Sequence, residues 1–192
     1  MITLNEIFRN TQPSLRSVET RFRAYKLSRT GALCSYFAAD KFTLIEAMDT
    51  DTSRDSLIEE LDACGKTYID TLHITSWDDD HCEANALNWI LTNLRPAKIE
   101  IPGYDHDSKN AKECKRLIAM YKDQRSSLGK IANVIAVTPE YIAGLEKTTA
   151  LGYKDIVYHP KRLYDGSNNN STVKLFRSGC FNVLSMGDVE HN

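Results

Sequence analysis

Apolar and polar residues alternate from Thr20 to Leu27, resume from Leu33 to Ala38 after a turn at Gly31, and return from Phe42 to Glu46 beyond Asp40-Lys41. A period of two over short runs separated by turn residues predicts three strands in an antiparallel meander. The period then lengthens. Ser53 can cap a helix whose apolar face is Leu57, Ile58 and Leu61 and which Gly65 ends. Tyr68 to Ile74 reads as a buried strand, Glu83 to Leu94 as a helix, and Pro96 to Pro102 as a short strand between prolines. A long polar helix follows from Asp107 to Leu128 with Leu117, Ile118 and Tyr121 inward, then a strand from Ile131 to Val137 and a helix that Pro139 opens and Leu145 closes. Asp155 to Tyr158 is a further strand. Thr172 to Arg177 and Phe181 to Met186 form a hairpin turning at Ser178-Gly179. Hairpins flank a helical section without strict alternation, which predicts an α/β layered sandwich with mixed sheets.

Composition narrows this picture. At 192 residues the chain has room for one substantial core. A formal charge of −2 creates no global field for polyanions, so any nucleic-acid contact has to be local. No apolar run approaches the roughly 18 residues of a membrane span, and the polar start at Asn5, Glu6 and Arg9 is unlike a signal peptide. The five scattered cysteines, Cys34, Cys64, Cys82, Cys114 and Cys180, contain no Cys-x-x-Cys pair. Reduced structural thiols in a cytoplasmic protein are expected, with Cys82 as a small packing residue.

Two acidic segments stand out. Ile74-Thr75-Ser76-Trp77-Asp78-Asp79-Asp80-His81 leaves the end of a buried strand, and Leu184-Ser185-Met186-Gly187-Asp188-Val189-Glu190 leaves another. Three consecutive carboxylates repel one another, and a cation compensates that repulsion. Alternate carboxylates with an imidazole are donors for Zn²⁺, Mn²⁺ or Fe. The plainer reading is a solvated turn capping the next helix. Gly187-Asp188 alone reads as a turn.

In this order, with Leu44-Ile45-Glu46-Ala47 before the pair and Asn168-Asn169-Asn170-Ser171-Thr172-Val173 between its members, the two segments resemble the metallo-β-lactamase superfamily, in particular its ComEC-like branch. The resemblance runs from about Thr20 to Glu190. It implies a metallo-β-lactamase-like αββα sandwich with mixed sheets and a site holding two divalent metal ions, zinc or manganese. Asp78 takes the place of the second motif histidine, Asp80 and His81 match the Asp-His pair holding the second metal, and Asp188 matches the bridging carboxylate. Asp78, Asp80, His81 and Asp188 are thus the expected metal ligands, with Asp80 and Asp78 also the expected catalytic residues. Ser76 departs from the pattern, since it stands where the first histidine is expected. His73 lies too early to replace that histidine and is expected on a sheet face. His159 is a candidate further ligand or a loop histidine, His106 a candidate ligand between Asp105 and Asp107, and Lys161 and Arg162 candidate phosphate contacts. His191 is too close to the chain end to place.

The resemblance implies hydrolysis of phosphodiesters, DNA foremost, and makes nucleic acid the expected substrate. A small-molecule hydrolase acting on a cyclic nucleotide or a lactone, and a non-catalytic module with a degenerate site, are the alternatives. A further histidine and closing strands follow the Gly-Asp strand in the family, so residues 1–192 are expected to be the N-terminal part of one hydrolase domain. Its completion would come from a C-terminal remainder or a partner chain, with a regulatory protease as one setting.

Overall fold

The computed structural model describes residues 19–148, 155–178 and 181–190. The meander is present: β1 (Thr20–Ala24), β2 (Cys34–Ala38) and β3 (Lys41–Ile45) pair antiparallel in sequence order. From β3 the pairing turns parallel through β4 (Thr71–His73), β5 (Lys98–Pro102) and β6 (Asn133–Val137), which completes a six-stranded mixed sheet of order β1-β2-β3-β4-β5-β6.

Parallel neighbours require crossovers, and helices α1 (Asp51–Ala63), α2 (Ala84–Asn93) and α3 (Lys109–Ser127) supply them. All three pack on one face. Phe42, Leu44, Leu72 and Ile99 form one core with Leu57 and Leu61 of α1, Leu87, Ile90 and Leu91 of α2, and Cys114, Ile118 and Tyr121 of α3. Leu117, expected inward, sits only at the margin of this core. Cys82 is buried within it, as a packing residue should be.

Helix starts are set by polar caps. The expectation of a cap at Ser53 is corrected: α1 begins at Asp51 with Thr50 as its N-cap, and Ser53 Oγ accepts the Thr50 N–H at 3.1 Å. Ser53 therefore occupies the third helical position, where a side chain reaches back to the cap. Glu83 caps α2 by accepting the Ala86 N–H at 2.8 Å, and Ser108 caps α3 by accepting the Ala111 N–H at 3.1 Å.

The opposite sheet face carries Tyr36, Ala38, Ile45, His73 and Glu100, the alternate residues of the same strands. A three-stranded antiparallel sheet covers it: β7 (Ile156–His159), β8 (Val173–Ser178) and β9 (Phe181–Ser185), in that order. Phe176 of β8 lies 5.4 Å from the Tyr36 ring and edge-on to His73. Beside it, Lys174 Nζ donates to Glu100 Oε2 at 2.8 Å, and His73 Nδ1 approaches the same oxygen at 2.8 Å. Buried Glu100 is held well below the usual carboxylate range: burial raises it, but the His73 hydrogen bond and the Lys174 and Lys98 charges outweigh that. A buried ion pair thus links one sheet to the other.

Helix α4 (Pro139–Thr148) packs Ile142 against Val137 of β6 and Val157 of β7. The Gly179 part of the hairpin turn, and His191, lie outside the described residues. Among the described residues no helix is long and apolar enough to cross a membrane.

Candidate functional site

The acidic loop springs from the C-terminal end of β4, between the chain leaving β3 and the chain leaving β5. Glu46 follows β3 with a φ of +71° and is buried. Its carboxylate accepts the Thr75 N–H at 3.0 Å and the Thr75 hydroxyl, and lies 3.2 Å from His81 Nδ1. The loop then closes on the same strand end, since the Ala47 N–H donates to the His81 carbonyl at 2.8 Å and Ala47 bridges Cys82. His81 is therefore held by backbone and side chain together, with Nε2 directed outward.

Asp188 meets it from the other sheet. Gly187 has a φ of +59°, and a Cβ there would stand 3.0 Å from Ser171 Cβ and 3.1 Å from Thr75 Cβ. Glycine is needed for both the turn and the close approach. The Thr172 N–H donates to the Thr75 carbonyl at 2.9 Å, which ties the two sheets at this point. Asp188 Oδ1 consequently lies 3.8 Å from His81 Nε2, across 107 residues of sequence.

The charges respond to this crowding. Burial lowers the affinity of His81 for a proton, but the Glu46 hydrogen bond and the Glu46, Asp80 and Asp188 charges outweigh it and raise the imidazole to about 9. Burial pushes the Asp188 carboxyl up, opposed by His81 and reinforced by the Asp80, Asp78 and Glu190 charges. A surplus of negative charge thus gathers around Asp188, the condition that a bound cation relieves.

Asp78 faces the other way. The Ser76 hydroxyl donates to Asp78 Oδ2 at 2.7 Å and lies 2.9 Å from the Tyr104 hydroxyl, while the Asp78 N–H returns to Ser76 Oγ at 3.2 Å. Asp78 Oδ1 lies 3.3 Å from His106 Nε2. The Ser108 N–H donates to His106 Nδ1 at 3.3 Å, and the Ser108 hydroxyl is 3.1 Å from the same nitrogen. Nδ1 is thereby an acceptor, which leaves the imidazole proton on Nε2, aimed at Asp78. Tyr104 also accepts the Trp77 N–H at 3.1 Å, and burial raises its phenol above the usual range. Both Asp78 oxygens and the Ser76 hydroxyl are engaged within the protein.

The four expected ligands thus approach one patch but divide within it. His81 and Asp188 face each other with the charge of Asp80 beside them, Asp79 is exposed, and Asp78 is drawn into the Ser76–Tyr104–His106 network. Among the described residues, no three His, Cys, Asp or Glu side chains form a ready cage for a metal ion. The donors on the His81 side suit a divalent metal in kind, and Glu46 is the partner that orients a ligating histidine. The Ser76 side does not fit, because a serine already hydrogen-bonded three ways offers nothing to an ion.

His106 borders the site, as the sequence allowed. His159 is engaged with the neighbouring loop: its Nε2 lies 2.7 Å from the Asn169 carbonyl and its ring stacks on Tyr164. His73 sits on the sheet face as expected, with Nδ1 toward Glu100. Arg162 lies over the Tyr164 ring at 4.9 Å, and Lys161 is exposed. Asn170 knots the loop below them, accepting the Tyr164 N–H and donating to the Tyr164 and Gly166 carbonyls. Between this loop and residues Tyr104 to Asp107 lies a cavity of about 400 Å³ that His106 links to Asp78. Sequence reasoning missed the roles of Glu46 and Tyr104. An acid closing the apolar run Phe42 to Ile45 was the available signal for the first; an ordinary tyrosine after Gly103 gave none for the second.

No protein-family model and no curated protein matches the chain. Seven chains of solved structures do. One, from Thermotoga maritima, is described as a "putative metallo-beta-lactamase"; the likeness has a TM-score of 0.50 at 13% identity and covers 87% of this chain and 76% of that one. At that identity the likeness is one of architecture, and with the mixed sheet and its helical layer it shows that this chain has a metallo-β-lactamase-like fold.

Proposed function

We propose that the chain is a metal-dependent hydrolase whose reaction takes place where the acidic loop meets Gly187-Asp188. The observation that carries this reading is the His81–Asp188 approach at 3.8 Å, built from two distant strand ends and backed by a buried carboxylate at Glu46. His81, Asp188 and Asp80 are the residues that would hold a divalent metal. When bound, such an ion supplies activation of water and neutralisation of charge on a phosphoryl or carbonyl oxygen. The protein's own part is to orient His81 through Glu46, to gather negative charge at Asp188, and to present the Tyr104–Tyr164 cavity beside them.

Phosphodiesters, DNA first, are the proposed substrates. The carboxylate-rich donor set supports them, since it favours harder metals and phosphoryl chemistry. Incubation with Mn²⁺ or Zn²⁺ and plasmid or single-stranded DNA should give cleavage that falls at least about 100-fold in Asp188→Asn and His81→Ala, the scale expected when a catalytic charge is lost. Cleavage that persists in both variants would overturn the reading. The 400 Å³ cavity supports a second one, hydrolysis of a cyclic nucleotide or a lactone. Turnover of such a molecule with no DNA cleavage would favour it.

A further inference from the structure

Helices α2 and α3 begin at the candidate site, at Glu83 and Ser108, and end on the far side of the molecule. There, between their last turns, lies a second cavity of about 410 Å³. Leu91, Leu117 and Tyr121 make its apolar walls, and Arg95, Arg125 and Lys130 line it without a single Asp or Glu. Cations beyond helix C-termini are ordinary, because they offset the partial negative charge of the free carbonyls. That accounts for their presence but not for two further features.

The first is Arg125 Nε, which is buried and has no hydrogen-bond partner among the described residues. A guanidinium N–H withdrawn from water lacks an acceptor here, a condition native proteins seldom leave unmet. The second is Arg95, which follows α2 with a φ of +48°. Gly129 has the equivalent place after α3, with a φ of +66°, and is the residue type that this conformation favours. The chain keeps an arginine where a glycine would relax the backbone, and that arginine lines the cavity.

We propose that this cavity binds a small organic anion with an apolar body, of the class of aryl or medium-chain carboxylates. The carboxylate supplies the acceptor that Arg125 lacks and meets the charges of Arg95 and Lys130. The body lies between Leu91, Leu117 and Tyr121. The volume is within the roughly 300–1,000 Å³ of small-molecule sites. This site is separate from the proposed hydrolytic one and does not depend on it.

The test is calorimetric titration of the full chain with 1-naphthoate and with 1-naphthalenemethanol, which has the same body and no charge. Naphthoate should bind with one site per chain, and the alcohol at least about tenfold more weakly, as for loss of a charged hydrogen bond. Arg125→Gln should lower naphthoate affinity about tenfold and leave the alcohol unchanged. Arg95→Gly removes a cation while relieving the backbone, so it should weaken naphthoate binding in a protein that still folds. Asp188→Asn should leave the titration as it was. Absence of naphthoate binding at millimolar concentration, equal binding of acid and alcohol, or indifference to both arginine variants would overturn the proposal.

Discussion

The two sides of the acidic loop are built from the same residue types and do opposite things with them. On one side Glu46 holds His81 from behind and leaves its outer nitrogen facing Asp188. On the other, Ser76, itself hydrogen-bonded to Tyr104, and His106 engage the two oxygens of Asp78. What separates them is where the hydrogen-bond partners lie. A buried carboxylate behind an imidazole projects a donor outward, whereas neighbours in front of a carboxylate close it off. A run of acids therefore does not define a metal centre; the residues packed around each acid decide which of them remains available.

The largest effect should come from removing the support of the open side. Glu46→Ala leaves the Thr75 N–H and hydroxyl buried without their acceptor and strips His81 of its partner. Breaking a buried charged arrangement from one end costs about 3–5 kcal/mol. Urea unfolding of the metal-free protein should show a loss of that order, and a loss under about 1 kcal/mol would mean that Glu46 is not what holds the loop.

A smaller effect belongs to pH. His81 is raised from an ordinary 6.5 to about 9 in the folded protein. A raised imidazole contributes stability that is fully present below pH 6.5 and is lost as pH rises through about 9. The difference corresponds to about 3 kcal/mol. Metal-free protein should therefore lose stability between pH 6.5 and 9, and His81→Gln should flatten that profile. A slope unchanged in the variant would assign the titration to another group.

How much of this could be read in the sequence follows from the range of each interaction. The meander, the crossover helices and the final hairpin were legible because period and turn residues are local. Ser53 was legible as a capping residue but not as the third position of a capping pair, since one residue of register decides between them and Thr50 is also a capping type. His81 and Asp188 were legible as a pair only through the resemblance, and Gly187 shows why. Its turn is a local property, but the contacts with Ser171 and Thr75 that require a glycine come from two other segments. The turning of Asp78 toward His106 was not legible at all. It depends on Tyr104 and Ser108, 26 and 30 positions away, on a loop whose course is fixed by β5 and the cap of α3.

The smallest effect tests whether the two sides are independent. Tyr104→Phe removes the hydroxyl that meets Ser76 and accepts the Trp77 N–H, while the ring remains to fill its buried place. Ser76 keeps Asp78 as its acceptor, so the loss reduces to one buried N–H without a partner, about 1–2 kcal/mol. The closed side should loosen, and Asp78 should become free to leave it. The open side shares no hydrogen bond with Tyr104, and His81 is governed by Glu46, Asp80 and Asp188. An NMR titration of His81 should consequently give the same midpoint near 9 in Tyr104→Phe as in the parent chain. A midpoint that moves by a unit would show that the Ser76 network reaches across Trp77 to set the charge at His81, and the division of the loop into two sides would then be wrong.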